Sequence, residues 1–442
     1  MRITTDFRDI SDPTCTRTSE LIHSKLDSFE SRSMHGQLPI SWAKAKDFSV
    51  WDVNGNKHID FTSTIFVANV GHSNEAVLKA IRRQLDSDLI STYSYPTEIR
   101  AKYLETLVDF VGNGLEKAFL LSAGTEAMDA VYKLIKMAGQ SQGKRRSGVV
   151  AFSGNWHGRT LGAQMLSNNF VQKEWIGFHD PDIHYLRFPL PWEVPEGDGE
   201  NFFHSEIQTL EGRGIDIGKD IAGFVLETFQ GWGALFYPKT FVEALSKFAQ
   251  QRNILVAFDE MQAGFSRTGK NFGFEHYEVS PDLVACGKGM GGGFPVSGVV
   301  GKGWIMDLPS VGNMSSTHSA NPLACAAGLS VIDEIETKHL TERSRKLGEL
   351  LHRRLNAVKD QYSEYIHSVQ GRGLIASVIF SGERQAAARL ASRVCDLALA
   401  NGVILVHTGR ESIKIGPPLV IEEAALAEGL DVFERSIREA LG

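Results

Sequence analysis

Cysteine is scarce in this chain of 442 residues, and no two of its four cysteines stand at the CxxC spacing of a zinc ribbon or a redox pair. The sequence therefore offers no disulfide framework, and a reducing cytoplasm is the expected location. No run of about 18 apolar residues occurs, so we expect no transmembrane helix. Residues 1–10 mix both signs of charge and do not resemble a signal peptide.

Excess basic charge is also missing. Asp and Glu outnumber Lys and Arg by 53 to 46, which gives a net charge of −7 and an isoelectric point near 6.1. A general nucleic-acid binder needs a basic face to meet phosphates, so that class is disfavoured. With 42% hydrophobic and 22% charged residues, the composition is typical of an ordinary globular protein. The length fits two or three structural units, or equally well a single large α/β domain with an appendage.

Short apolar runs alternate with helical segments from about residue 117 onward. Runs of this length, separated by helices, predict a mostly parallel sheet that is covered on both faces. Ligands of such sheets bind at the carboxyl ends of the strands. The candidate strands are Ala118–Leu121, Gly148–Phe152, Ile221–Leu226, Ile254–Phe258, Leu283–Cys286 and Val296–Val300.

The two ends of the chain have a different pattern. Asn54-Gly55 is a strong turn dipeptide and predicts a hairpin between residues 48–51 and 58–61. Residues beyond about 323 predict a second, smaller α/β unit. Helices are expected at 17–33, 75–85, 97–111, after 323 and at 421–440, and late strands at 374–380, 403–406 and 412–415.

Lys288 stands two residues after the end of the candidate strand Leu283–Cys286 and has five glycines close to it, at 287, 289 and 291–293. Glycine permits positive φ and close approach of the backbone to a ligand. Lysine forms Schiff bases, and desolvation makes it a nucleophile and a base. A phosphate-binding loop or a flexible surface loop is the alternative interpretation. A Walker A motif is excluded, since no Ser or Thr follows Lys288 directly.

Three further strand ends carry polar groups. Asp259 ends the strand 254–258, where a buried acid needs a partner, although it would also suit the N-cap of a helix. Gly124-Thr125 opens a helix whose N–H groups suit a phosphate, although Ser and Thr are also ordinary helix caps. Trp156 and Arg159 follow a third strand, with core packing and a surface ion pair as the simpler interpretations.

Taken in this order, the segments resemble the class III (ω-type) aminotransferases of the fold type I pyridoxal-phosphate (PLP) superfamily. The resemblance extends from the hairpin near residue 50 to the end of the chain. It is carried by Asp60–Ser63, Gly71-His72, Ser122–Ala127, Trp156–Thr160, Asp259–Gly269, Gly287–Gly293, Thr317 with Asn321–Ala324, and Pro417–Leu419.

The resemblance implies an α/β fold with two domains. The large PLP-binding domain, residues 86–325, would hold a mostly parallel seven-stranded sheet covered by helices. A smaller α/β domain would combine residues 1–85 and 326–442.

It also implies roles for individual residues around PLP, with no metal. Lys288 would hold the cofactor as a Schiff base and then move a proton between the substrate Cα and C4′ of the cofactor. Asp259 would face the pyridine nitrogen and keep it protonated. Gln262 would hydrogen-bond the phenolic oxygen, and Trp156 would stack on the ring.

The remaining implied contacts concern the phosphate, the partner subunit and the O3′ side of the ring. The backbone N–H groups of Gly124 and Thr125 would hold the phosphate. Thr317 would reach the phosphate of a neighbouring subunit, which implies a homodimer with shared active sites. Glu227 matches a family glutamate near the O3′ side.

Two departures from the family pattern concern the substrate. Trp232 stands where many members carry a glutamate, and Lys414 stands where they usually carry an arginine, so the family's glutamate switch is absent. The alternative is that Trp232 only packs between subunits. Arg159 matches the arginine that binds a substrate carboxylate. Trp232 and Phe66, together with Trp156 and Phe229, would suit a bulky amine, an apolar amino acid or an amino sugar or cyclitol.

We therefore expect an aminotransferase that moves an amino group from a glutamate- or alanine-type donor to a ketone or aldehyde by ping-pong chemistry. A racemase or epimerase of the same family is the alternative, and a keto-acid dependence would separate the two. A non-catalytic relative is disfavoured because Lys288, Asp259 and Gln262 are all present. A Rossmann-type dehydrogenase is disfavoured because no GxGxxG follows an early strand.

Overall fold

The computed structural model describes residues 2–11, 17–34 and 38–442. They form two compact units. The terminal unit combines the described residues up to Asn74 with 346–442, and the central unit contains 75–345. The domain boundaries expected from the sequence, 85/86 and 325/326, stay a prediction.

The N-terminal part of the terminal unit contains a predicted hairpin, which is confirmed: β4 and β5 pair antiparallel, with Val50 opposite His58. Asp52 shapes the turn, since its Oδ1 accepts hydrogen bonds from the N–H groups of Asn54 and Asn56, both at 2.9 Å. The elements here are β1 (Ile3–Thr4), β2 (Asp9–Ile10), α1 (Arg17–Phe29), β3 (Trp42–Lys46), β4 (Ser49–Asp52), β5 (Lys57–Asp60) and α2 (Ser63–Phe66).

The central unit is built on a seven-stranded sheet. Its helices and strands are α3 (Glu75–Leu85), α4 (Glu98–Val111), β6 (Lys117–Leu121), α5 (Gly124–Ser141), β7 (Gly148–Phe152), α6 (Leu161–Leu166), α7 (Phe170–Lys173), β8 (Ile183–Leu186), α8 (Gly199–Gly212), α9 (Ile217–Asp220), β9 (Ile221–Glu227), β10 (Phe229–Gln230), β11 (Leu235–Phe236), α10 (Lys239–Gln250), β12 (Leu255–Asp259), β13 (Leu283–Cys286), β14 (Ser297–Gly301), α11 (Gly303–Met306) and α12 (Pro322–Thr337).

The strand order of this sheet is β6-β14-β13-β12-β9-β7-β8. All six strands predicted from the sequence are present, within one residue at each end. The sheet is parallel except at β14, which pairs antiparallel with both β13 and β6. Because of this arrangement, β6, β7, β9, β12 and β13 end at the same edge of the sheet.

Helix α5 packs closely on the sheet. Its apolar face includes Val131, Leu134 and Ile135, which are fully buried. Gly223 of β9 allows the close approach, since a Cβ there would lie 2.7 Å from Ile135 Cγ2. The packing brings the N-terminus of α5 to the edge of the sheet where the parallel strands end.

The C-terminal part of the terminal unit begins within α13 (Leu340–Gln361), which starts in the central unit. It continues with β15 (Ile366–Arg372), β16 (Ile375–Phe380), α14 (Arg384–Ala400), β17 (Val403–Ile404), β18 (Val406–His407), β19 (Ser412–Ile415) and α15 (Glu423–Leu441). Four of these strands form an antiparallel sheet in the order β15-β16-β19-β18, and β17 pairs parallel with β5. Among the described residues, no helix combines the length and apolarity that crossing a membrane requires.

Candidate active site

Five strand ends meet at one edge of the central sheet and carry most of the residues singled out above. Asp259 and Glu227 end the neighbouring strands β12 and β9 and lie opposite each other in register. Trp156 follows β7, and Lys288 follows β13. Gly124 begins α5 just after β6. The ligand edge expected of a parallel sheet is therefore where these side chains come together.

Asp259 is the buried acid of this edge, 5% exposed. Its Oδ1 accepts a hydrogen bond from the N–H of Met261 at 3.0 Å. Its Oδ2 lies 2.8 Å from Nδ1 of His157. These contacts hold the carboxylate at the end of the strand, and the same acid would otherwise be costly to bury.

His157 was not assigned a role from the sequence, although it stands within the Trp-His-Gly-Arg-Thr motif. Its imidazole is fully buried between Asp259 and Asn155, whose Nδ2 lies 2.7 Å from His157 Nε2. The only signal for it in the sequence is its position just after a buried strand. Pairing with Asp259, 102 residues away, becomes visible only once β7 and β12 share a sheet.

Lys288 begins a short 3-10 turn, Lys288–Gly291, which only Gly287 separates from β13. Its φ of 46° is left-handed, which is unusual for a residue with a side chain. Gly287 before it has no room for a side chain, since a Cβ would lie 2.7 Å from Met261 Sδ. Burial lowers the pKa of the Lys288 amine, while the carboxylates of Asp259 and Glu227 oppose that shift. A lysine with a lowered pKa suits nucleophilic and base chemistry.

The first turn of α5 presents N–H groups to the same place. Glu126 Oε2 accepts hydrogen bonds from the N–H groups of Ser122 and Ala123, at 3.0 and 2.8 Å. The N–H groups of Gly124 and Thr125 have no hydrogen-bond acceptor among the residues that the structure describes. They and the helix dipole favour an anion there.

The Thr125 hydroxyl joins this helix to the loop after β7. Its Oγ1 accepts hydrogen bonds from the N–H groups of Arg159 and Thr160, both at 3.0 Å. Gly158 makes the contact possible, since its φ of +144° disfavours a side chain and a Cβ would lie 2.7 Å from Thr125 Cβ. The helix start and the Trp156 loop are therefore fixed together.

Glu227 links Trp156 to the segment after β10. Its Oε2 accepts from the N–H of Trp156 at 3.0 Å, and its Oε1 accepts from the N–H of Gly231 at 3.2 Å. Gly231 also lies against Gln262, where a Cβ would collide with the side-chain amide. One carboxylate thus fixes the backbone of Trp156 and that of Gly231, the residue that lies against Gln262.

A cavity of about 220 Å³ lies among these groups. Eight residues singled out from the sequence line it: Gly124, Thr125, Trp156, Glu227, Phe229, Asp259, Gln262 and Lys288. Sequence reasoning did not assign the other lining residues, which are His157, Gly158, Thr228, Met261 and Ala263.

Three other candidate residues of the central unit do not line the cavity. The Arg159 guanidinium lies over the Trp156 ring, 4.7 Å from its centre. The Trp232 indole N–H donates to Gln230 Oε1 at 2.8 Å, and Gln230 in turn donates to the carbonyl of Ser153. Thr317 is exposed at the surface.

Phe66 and Lys414 belong to the terminal unit. Lys414 Nζ lies 4.9 Å from the centre of the Phe66 ring, a cation–π contact within that unit. Phe66 lies in α2, where four residues in a row have left-handed φ angles of 48–68°. Ser63 anchors the turn through a hydrogen bond to the carbonyl of Gly416 at 2.7 Å.

The chemistry of the cavity residues fits PLP. The buried Asp259 suits a protonated ring nitrogen, Lys288 suits the aldehyde, and the Gly124-Thr125 helix start suits the phosphate. The flat surface of Trp156 suits the ring. A Cβ at Gly124, like one at Gly287, would lie 2.7 Å from Met261 Sδ. The absence of a side chain at both positions leaves room at this side of the cavity.

Comparison with known proteins identifies the family of this chain. Residues 31–437 match the family model of the class III aminotransferases. A leucine/methionine racemase of Thermococcus litoralis is 33% identical over 96% of both chains. A probable 4-aminobutyrate aminotransferase of Bacillus subtilis is 30% identical over 97% of this chain and 100% of its own.

Solved structures share the fold. An ornithine aminotransferase from Toxoplasma gondii superposes with a TM-score of 0.84 over 96% of both chains at 23% identity. A transaminase from the marine bacterium Virgibacillus gives 0.87 over 96% of this chain and 100% of its own at 24% identity. The predicted fold, a fold type I PLP-enzyme architecture, is confirmed. The family match over nearly the whole chain places this protein among the class III aminotransferases, enzymes that transfer amino groups with pyridoxal 5′-phosphate as cofactor.

Proposed function

We propose that this enzyme takes the amino group of a glutamate- or alanine-type amino acid and transfers it to a ketone or aldehyde in a ping-pong cycle. The observation that carries the proposal is the convergence of Lys288, Asp259 and Gln262 on one cavity. These residue types supply the base, the partner of the ring nitrogen and the partner of the phenolic oxygen. The relatives support amino transfer, since one of them is named as a probable 4-aminobutyrate aminotransferase.

PLP, when bound, supplies an aldehyde that takes up amines and a ring that withdraws electrons from the substrate Cα. The protein supplies the rest. Lys288 would remove the proton from the substrate Cα and deliver it to the C4′ carbon of the cofactor, because burial lowers the pKa of its amine. Asp259 would hold the proton at the ring nitrogen, and Trp156 would cover a face of the ring. Glu227 would keep Trp156 in place through its backbone hydrogen bond.

Recognition of the donor carboxylate is assigned to Arg159. A guanidinium binds a carboxylate with two parallel hydrogen bonds, which would orient the amine of the donor. Arg159 is exposed and lies over Trp156, so it is accessible to a substrate. Trp232 stands in place of the family's glutamate, so the glutamate switch is absent in this proposal. Its apolar indole favours a second substrate with an apolar or bulky body.

A half-reaction screen tests the proposal. Purified PLP-loaded enzyme is mixed with single amines, and the absorbance of the bound cofactor is followed. The set contains glutamate, alanine, ornithine, 4-aminobutyrate, leucine and an amino sugar. We expect an amino acid to bleach the band and to release its keto product in stoichiometric amount. If none of the amines bleaches the band, the proposed donor class is wrong.

Racemisation is the second candidate, and a specific observation favours it: a relative that is 33% identical over 96% of both chains is named a leucine/methionine racemase. The same screen separates the two reactions. A racemase changes the chirality of leucine or methionine without releasing a keto acid and without needing one. If the band persists and the amino acid loses its optical activity, the reaction is racemisation and the proposed amino transfer is wrong.

For assembly we propose a homodimer in which Thr317 completes the phosphate site of the partner subunit. The exposure of Thr317 supports this, because a side chain that serves another subunit must lie at the surface. Two inactive variants, Lys288→Ala and Thr317→Ala, should regain PLP binding when they are co-expressed with different tags and purified as the mixed dimer. The mixed dimer has one site with both residues intact if the sites are shared, whereas unshared sites would leave both sites defective.

For location we propose the cytoplasm. Cys286, Cys325 and Cys395 are free thiols and all three are buried, which fits a reducing compartment. Fractionation of the native host would test the assignment, and activity outside the cytoplasmic fraction would contradict it.

A further inference from the structure

A buried chain of three polar side chains runs behind the ring-nitrogen site. Asn155, His157 and Asp259 are only 3%, 3% and 5% exposed. Asn155 Nδ2 lies 2.7 Å from His157 Nε2, and His157 Nδ1 lies 2.8 Å from Asp259 Oδ2. Asp259 faces the cavity, and Asn155 lies at the far end of the chain.

The orientation of the Asn155 amide is determined by two backbone groups. Its Oδ1 accepts a hydrogen bond from the N–H of Asn168 at 2.9 Å, and its Nδ2 donates to the carbonyl of Leu166 at 3.3 Å. A flipped amide would set NH₂ against the N–H of Asn168 and oxygen against the carbonyl of Leu166. The nitrogen of the amide therefore faces His157, and that nitrogen can only donate.

The tautomer of His157 follows from this orientation. Nε2 accepts from Asn155, so it carries no proton, and the single proton of the neutral ring is on Nδ1. Nδ1–H then donates to Asp259 Oδ2. The position of the residue is fixed as well, because its backbone N–H donates to Ser167 Oγ at 2.8 Å, and Ser167 donates to the carbonyl of Ala163 at 2.9 Å.

We propose that Asn155 is a positioning residue that holds His157 as the neutral Nδ1–H tautomer, so that Asp259 is oriented by a hydrogen bond without losing its negative charge to an imidazolium. A protonated His157 would form an ion pair with Asp259 and would compete with the ring nitrogen of PLP for the carboxylate. The neutral imidazole of His157 orients the Asp259 carboxylate without that competition. The inference rests on PLP as the cofactor and on no particular amino donor.

Nitrogen NMR of the enzyme labelled at histidine tests the tautomer directly. The chain has 14 histidines, and the His157→Gln variant identifies the signal of His157 by its loss. We expect a protonated Nδ1 and an unprotonated Nε2 at neutral pH, both in the PLP-free protein and in the loaded enzyme. A proton on Nε2 in the unsubstituted enzyme, in either form, would overturn the proposal without reference to turnover.

Asn155→Asp places a hydrogen-bond acceptor next to His157 Nε2, where the amide of Asn155 was a donor. We expect both ring nitrogens of His157 to become protonated and the absorbance of bound PLP to titrate at a shifted pH. We also expect kcat to fall roughly tenfold with KM for the donor nearly unchanged, the size of effect seen when a group that orients an active-site residue is lost.

Asn169→Asp is the matched control. It introduces the same charge in the same segment, but Asn169 is exposed and uses its Oδ1 to cap the N–H of Gln172, which an aspartate also does. The control should keep the His157 signals, the cofactor spectrum and kcat. If Asn155→Asp folds and leaves the His157 signals unchanged, the amide does not determine the tautomer and the proposal is wrong.

Asn155→Leu gives a second variant in case the buried aspartate prevents folding. It keeps the approximate shape of the side chain and removes both polar atoms. The nitrogen signal of His157 Nε2 should then move, because the hydrogen bond that Nε2 accepts from the amide is lost. An Nε2 signal identical to that of the unsubstituted enzyme would contradict the proposal equally.

Discussion

Replacing Gly231 by alanine should weaken PLP binding while leaving the fold intact. A Cβ at this position would collide with the side-chain amide of Gln262 and would lie 3.1 Å from Glu227 Oε1. The φ angle of Gly231 is not in the left-handed region, so alanine introduces no backbone strain. The amide is the far end of a flexible side chain, and it can yield by moving on the order of 1 Å.

The expected magnitude follows from the contact that the movement removes. Gln262 is assigned to the phenolic oxygen of PLP, which carries negative charge. Loss of a hydrogen bond to a charged group costs about 1.5–3 kcal/mol, which corresponds to roughly a 10- to 100-fold higher Kd for PLP. The Kd is measured by titrating the PLP-free protein with the cofactor and following absorbance, and a shifted maximum of the bound cofactor should accompany it.

Gly212→Ala is the control for this experiment. Gly212 ends α8, and a Cβ there would meet nothing within 4 Å. Its Kd and spectrum should equal those of the unsubstituted enzyme, and both variants should unfold at similar temperatures. If Gly231→Ala binds PLP with unchanged Kd and spectrum, either Gln262 does not hold the phenolic oxygen or its position tolerates the shift.

Three further outcomes are expected. Lys288→Ala should abolish the yellow colour of the bound cofactor and turnover, and normal activity in that variant would refute the mechanism. Arg159→Ala should raise KM roughly 10- to 100-fold for the carboxylate donor but not for a plain amine, and equal effects on both would remove Arg159 from its role. Glu227→Gln removes a negative charge that raises the pKa of Lys288, so that pKa should fall further. In the PLP-free protein, reaction of Lys288 with an amine reagent should then begin at lower pH, and a shift to higher pH would contradict the assigned electrostatics.

The sequence predicted the part of the site that depends on strand ends. Buried strands are recognisable as short apolar runs, and the residue after each run must lie at the ligand edge if the strands are parallel. Asp259 and Lys288 were found in this way. Several strands that escaped prediction have an apolar pattern that is broken by polar residues. Examples are β8, which contains His184, and β15, which contains His367, Ser368 and Gln370.

Contacts between side chains of different strands could not be predicted. Asn155 and His157 are close in sequence to Trp156, but their meeting with Asp259 requires that β9 place β7 at the correct distance from β12. The same holds for Trp232, whose indole is held by Gln230, a contact with no periodicity to reveal it. Specificity depends on such contacts, and this explains why the family was recognisable from the sequence while the substrate was not.

The two carboxylates of the site have a common design. Asp259 accepts hydrogen bonds from the N–H of Met261 and from His157, and Glu227 accepts from the N–H groups of Trp156 and Gly231. These donors are neutral, provided that His157 is the tautomer that Asn155 imposes, so they orient both groups without neutralising them. The negative charge that remains opposes the lowering of the Lys288 pKa and attracts a ligand with a protonated ring nitrogen. Cationic partners would orient these carboxylates equally well but would compete with Lys288 and the cofactor for their negative charge. Neutral donors avoid that competition, which suits an enzyme that needs both a reactive lysine amine and an electron-poor cofactor ring.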